Sequence, residues 1–256
     1  MNHALKSSPA SLEKSFINWL LEVTSIPTAA GKEQYVIAWV RRWVAARKNI
    51  QIRADKAGNL FITQKPAASH ADKAPLFITA HLDHPAFVVC SIDAKEREVE
   101  MEFRGGVNDP YFKNARLEFF GGPKGTLLAT GKITELDSSA KPFKRVRVKV
   151  TGGASRIHVG DIARWALGPN LRKSVIRNGL LHAPACDDLA AVAAALSALE
   201  KIRNFKNMQH VGVLLTRAEE IGFIGTLAAC TQRSVPRNAR LICLENSRSF
   251  PESPIG

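Results

Sequence analysis

At 256 residues, with 45% hydrophobic and 23% charged positions, the chain can bury a sizeable core, as one large domain or a domain with an insertion, and lies far from the composition of disordered chains. Its net charge of +13 could attract phosphate-rich partners, but the basic stretches VRRWVAARK, KPFKRVRVKV and NLRKSVIRNG are far apart and interleaved with apolar residues, as on solvated faces, so nucleic acid is not an expected partner. Cys90, Cys186, Cys230 and Cys243 form no Cys-x-x-Cys pair, no stretch approaches the ~20 apolar residues of a membrane span, and the N-terminus lacks a signal-peptide core; the expectation is a soluble, cytoplasmic protein with reduced, buried thiols.

In SSPASLEKSFINWLLEVTSIP, Leu12, Phe16, Trp19, Leu20 and Val23 share one helical stripe, with Ser8 as cap and Pro9 in the first turn, and the helix ends before Pro27. GKEQYVIAWVRRWVAARK repeats the pattern through Val36, Val40 and Trp43, with its arginines mostly near the C-terminal end, where the helix dipole favours them. IQIRADKAGNLFIT reads as two strands around a turn at 56–59, and APLFITAH as a short buried strand. From Pro85 to about Leu180 the texture changes to alternation (REVEMEFR, RLEFF, GTLLATGKI, FKRVRVKV, DIARWAL) punctuated by Gly and Pro, which predicts a small all-β module of about six strands without helices. Thereafter DDLAAVAAALSALEKI is a helix, HVGVLLT a buried strand, GFIGTLAACTQ a helix and ARLICLE a second buried strand. The expected organisation is an α/β domain of residues 1–85 and 181–256, interrupted by a β-rich, barrel-like domain of residues 86–180.

Three apolar strands end in potential metal ligands: LFITA in His81, VGVLLTRA in Glu219 and Glu220, and LICL in Glu245. In an open α/β sheet the carboxyl ends of parallel strands share one edge, so parallel pairing would bring these residues together. Asp187 and Asp188 precede a helix whose N-terminal amides favour negative charge. Singly, each residue is explained as a satisfied polar group, an N-cap or a solvated first-turn pair. Together they crowd carboxylates with Arg217 as the one close cation, and a divalent ion would resolve the repulsion.

The motifs AHLDH, ACDDLA and RAEEIGFIG, in that order and with a long interval between positions 81 and 187, resemble the cocatalytic zinc aminopeptidase clan, in particular the TET-type glutamyl and leucyl aminopeptidases, whose catalytic domain is split by a β-rich insertion. The resemblance implies a zinc-peptidase-like fold, a mixed sheet sandwiched by helices, binding two divalent ions, zinc or alternatively cobalt or manganese. His81 and Glu245 would bind one ion, Asp187 would bridge both, with a cis peptide to Asp188, and Glu220 would bind the second. Glu245 stands where TET-type enzymes generally have Asp, although relatives in the wider clan use Glu. Asp83 would hydrogen-bond behind His81, and Glu219 would be the general base that takes a proton from water and returns it to the leaving amine. Peptides are the implied substrates and a homo-oligomer the implied assembly.

The clan completes its second ion with a distal His, whereas no histidine follows His210 and the chain stops at SRSFPESPIG, so the resemblance implies C-terminal truncation and places the activity of this chain in question. His84, His158 and His182 are the nearby substitutes, although His158 is expected to cap a strand of the β-module. Two other functions stay open: a silent peptidase-like binding module with a basic surface, and a dizinc amidohydrolase or carboxypeptidase-type enzyme.

Overall fold

The computed structural model describes residues 9–65 and 73–247, and the predicted cap Ser8 lies outside them. Two helices lead, α1 (Pro9–Val23) and α2 (Gln34–Ala45), followed by strands β1 (Ile50–Ala54), β2 (Leu60–Gln64) and β3 (Leu76–His81). The chain then enters β4 (Ala86–Asp93), β5 (Glu98–Arg104), β6 (Arg116–Gly121), β7 (Thr126–Asp137), β8 (Lys144–Gly152) and β9 (Ile162–Trp165), which close into a barrel in the order β4-β5-β8-β7-β6-β9. A separate hairpin of β10 (Val175–Arg177) and β11 (Leu180–His182) leads back to α3 (Leu189–Ile202), β12 (Val211–Thr216), α4 (Ile224–Thr231) and β13 (Arg240–Cys243).

The second sheet is mixed, in the order β1-β2-β12-β3-β13. β1 and β2 are antiparallel, as are β2 and β12, whereas β3 runs parallel to both β12 and β13. Alternation along the strands sends Leu60, Ile62, Val213 and Leu215 to one face, where they pack with Val36, Val40, Trp43, Val192 and Leu196 of α2 and α3. Phe61, Phe77 and Leu214 occupy the opposite face. The barrel has its own core, in which Phe87, Phe103, Phe112 and Trp165 pack with ring centroids 4.8 to 5.9 Å apart. Its outer residues Ala86, Val88, Phe120 and Ile162 bury Ala29 and contact Tyr35, fastening the barrel to the turn before α2.

Several residues of the basic stretches are ion-paired. Along β8, Arg145 meets Glu100 at 2.7 Å and Arg147 meets Glu135 at 2.9 Å, while Arg47 stacks on Trp43 and reaches Glu200 at 2.5 Å.

Two sequence expectations are corrected. ARLICLE is not a buried strand: β13 lies at the sheet edge, among the described residues it pairs with β3 alone, and both faces are open, with Leu241 42% and Ile242 47% exposed. Phe223 at the N-cap of α4 and Ile224 and Leu227 within it are also exposed. Nor are the thiols all buried, since Cys90 and Cys186 are half-buried and Cys230 and Cys243, on α4 and β13, are exposed. No helix among the described residues is long and apolar enough to cross a membrane.

Candidate metal centre

The parallel register aligns the strand ends. Thr216 of β12 lies beside His81 of β3, and Cys243 of β13 beside Thr79, so the chain emerging from each strand rises at one edge of the sheet. His81 Nε2 stands 3.1 Å from Asp187 Oδ1, 3.7 Å from Glu219 Oε2 and 3.9 Å from Glu245 Oε1. Two sets of potential ligands result, each with its ligand atoms within 4.8 Å of one another: His81, Asp187, Asp188 and Glu245, and His81, Glu219 and Glu220. These sets bring together five of the six predicted site residues, His81, Asp187, Glu219, Glu220 and Glu245, along with Asp188, and the sixth, Asp83, lies 3.5 Å from His81 Nδ1. His84 turns its Nδ1 to the backbone oxygen of Asp187, His158 sits in the turn before β9 with its amide donating to Asp161, and His182 ends β11; none joins either set.

Polar side chains hold the cluster from below. The buried Asp83 accepts the amides of Glu219 and Glu220, both at 3.0 Å, and its Oδ1 lies 3.5 Å from His81 Nδ1, too far for a well-formed hydrogen bond. Asp188, joined to Asp187 by a cis peptide and fully buried, accepts the His81 amide at 3.0 Å and the Asn246 side-chain amide at 3.0 Å. Arg217, the one cation expected nearby, donates its guanidinium to the buried Glu33 at 2.7 and 2.9 Å. Asn59 accepts the Arg217 amide at 3.1 Å and donates to Gly225 O at 2.8 Å. At Gly225 the backbone approaches so closely that a Cβ would lie 2.4 Å from both Arg217 O and Asn59 Oδ1, which explains the small residue after GFI. Sequence reasoning passed over Glu33, Asn59 and Asn246, whose one local signal is a polar residue at a turn or strand end.

The electrostatics are those of an uncompensated acidic site. Burial pushes Glu220 up to about 8, with the charge of Asp187 adding to it, and pushes Asp188 up to about 7. Burial, then the charge of Asp187 or Asp83, also raises Glu245 and Glu219. For His81, burial opposes protonation, but Asp187 and Asp83 overcome it and bring the imidazole up to about 11. Burial also works to raise Asp187, yet the bond and charge of His81 prevail and hold it low. Among the described residues no lysine or arginine pairs with Asp187, Glu219, Glu220 or Glu245, and His81 Nδ1 is buried without a hydrogen bond. Carboxylate oxygens and one imidazole nitrogen at this spacing suit a divalent cation.

A family model for M42 glutamyl aminopeptidases matches residues 58–237, which span β2, β3, the barrel and β12 and include His81, Asp187, Glu219 and Glu220 but not β13 or Glu245. The chain belongs to the M42 aminopeptidase family. Its fold is similar to that of an aminopeptidase from the archaeon Desulfurococcus kamchatkensis (TM-score 0.69, 19% identity, 94% of this chain and 66% of that one). It is also similar to a TET aminopeptidase from a marine-sediment thaumarchaeon (TM-score 0.68, 19% identity, 93% and 68%). A third similar structure is the TET1 peptidase of Pyrococcus horikoshii, described as assembling into a tetrahedron or a large octahedral shell (TM-score 0.63, 19% identity, 90% and 68%). The M42 chain described here therefore spans about two thirds of the length of these structures. No curated protein matches it.

Proposed function

We propose that this chain carries the metal centre of an aminopeptidase that uses two zinc ions and removes N-terminal residues from peptides. The observation that carries the reading is the pair of ligand sets sharing His81 at the carboxyl edge of parallel strands. His81 and Glu245 would hold one ion, Glu220 the other, and Asp187 would face both. When bound, the ions supply Lewis acidity, polarising the scissile carbonyl and making an attacking water acidic near neutral pH.

The chain's own residues do the rest. Glu219, raised by burial and partly exposed at the cluster, takes the proton of the attacking water on its carboxylate and returns it to the departing amine nitrogen. Asp83 keeps Glu219 and Glu220 in register by holding their two amides. Asp188 keeps the end of β3 against Asp187 through the His81 amide. In this reading residues 86–180 are an inserted domain within a catalytic body formed by 1–85 and 181–256, and the subunit assembles with further copies of itself.

The test is hydrolysis of aminoacyl p-nitroanilides by zinc- or cobalt-loaded protein. Glu219→Gln should lower kcat by about 10²–10⁴-fold while leaving metal content unchanged, the range for losing a general acid-base group. Metal-loaded wild-type protein that cleaves no aminoacyl amide would refute the reading.

A further inference from the structure

Four consecutive backbone amides after β12 are each held by a buried side-chain oxygen from a distant part of the chain. Arg217 N donates to Asn59 Oδ1 at 3.1 Å, Ala218 N to Glu33 Oε1 at 3.0 Å, Glu219 N to Asp83 Oδ1 at 3.0 Å and Glu220 N to Asp83 Oδ2 at 3.0 Å. Asn59, Glu33 and Asp83 are all 0% exposed. Glu33 is the most heavily engaged. Its Oε1 also takes the amide of Gly31 at 2.8 Å, and its Oε2 takes Nε and Nη2 of Arg217 at 2.9 and 2.7 Å.

A carboxylate withdrawn this completely from water persists only when donors replace its hydration, and three of the four donors of Glu33 belong to Arg217 and Ala218. Ala218 itself adopts φ +53°, a left-handed conformation that an alanine keeps only where its surroundings over-determine it. Glu33 stands at the start of α2, where it makes no side-chain cap to the helix, so its bonds serve the loop rather than the helix end.

We propose that Glu33 is a positioning residue for the Glu219–Glu220 pair, acting through the Ala218 amide and the Arg217 guanidinium without touching the reacting atoms or a metal ligand. The proposal rests on the peptidase reading for its catalytic consequence and on the loop geometry alone for its structural one. Glu219 and Glu220 immediately follow the clamped residue, so a loop released at 218 leaves their placement against His81 and Asp187 to the Asp83 bonds alone. Glu33→Gln isolates the contact: its oxygen can still accept the Ala218 amide, but its NH₂ then faces the guanidinium donors of Arg217.

The experiment compares wild-type protein with Glu33→Gln and Arg217→Lys by hydrogen exchange and steady-state kinetics. In Glu33→Gln, peptides covering 217–223 should exchange about tenfold faster or more, with α3 and barrel peptides unchanged. The kcat on an aminoacyl p-nitroanilide should fall about 10–100-fold at unchanged metal content and near-constant KM, the range for residues that orient a metal site from behind. Arg217→Lys keeps the charge but loses the fork, and should show a smaller change of the same local kind; it serves as the working variant should Glu33→Gln not fold. Exchange unchanged in 217–223, exchange raised uniformly across the protein, or faster loop exchange with unchanged kcat would each overturn the proposal. Wild-type protein without hydrolytic activity overturns the peptidase reading instead, and the exchange pattern still decides whether Glu33 holds the loop.

Discussion

Asp83 lies 3.5 Å from His81 Nδ1 and at the same time accepts the amides of Glu219 and Glu220, so one buried carboxylate links the end of β3 to the loop after β12. Asp83→Asn puts an NH₂ group against one of those amide donors. We expect a loss of about 1–3 kcal/mol in stability, typical of a buried donor left unsatisfied, measured by urea unfolding. Metal affinity should drop about 10–100-fold against a competing chelator. Unchanged affinity in Asp83→Asn would mean that the link is dispensable.

His81 belongs to both ligand sets and Glu245 to one. In the proposed assignment His81 and Glu245 hold the same ion, so dialysed His81→Ala and Glu245→Ala should each keep a reduced, non-zero metal content by metal analysis, and Glu220→Ala should lose the other ion. Background metal only in His81→Ala would contradict the assignment of His81 to one ion.

The pH dependence follows from groups whose native pKa values are raised. Glu220 at about 8, Asp188 at about 7 and His81 at about 11 all hold protons in the metal-free fold that the unfolded chain releases earlier. The stability each contributes is present in full below its unfolded pKa, about 4 for the carboxyls and 6.5 for the imidazole, and is lost as pH rises through the native value. A bound dication requires those protons to leave, so the gap in Tm between metal-loaded and chelator-treated protein should widen from pH 6 to pH 8. Calorimetric titration at pH 7 in buffers of different ionisation enthalpy should record proton release. A gap that narrows over this range would count against the assignment.

Gly225→Ala places a methyl group 2.4 Å from Arg217 O and Asn59 Oδ1. The clash is with backbone and a buried amide, so we expect about 1–3 kcal/mol of destabilisation, a fall in Tm of several degrees. An unshifted melting curve would show that the approach is looser than described.

Much of this was legible from local patterns. The apolar runs LFITA, VGVLLT and LICL end in ligand-type residues, and parallel pairing brings them to one edge because strand polarity leaves no other arrangement. Alternation likewise marked the barrel strands, whose inward positions carry the aromatic core. The clamps were not legible, because Glu33 and Ala218 are 185 positions apart and nothing in GKEQ distinguishes a buried acceptor from an ordinary helix start. The exposure of β13 was hidden for a related reason: hydrophobicity records what a strand is suited to face, whereas accessibility depends on which neighbours pack against it.

The barrel also bears on how the centre assembles. His81 and Asp187 touch across 106 intervening steps of chain, a span whose closure by an unstructured loop carries a substantial entropic penalty. Yet β4 and β9, the first and last staves, are hydrogen-bonded neighbours, with Phe87 opposite Ala163 and Val88 opposite Ile162. Once the barrel has formed, the long excursion is pinched at its neck, and the two flanks need search only a short tether to meet. The closed barrel thus shortens the effective loop between His81 and Asp187 and lowers the entropic cost of holding the two sides of the candidate centre together.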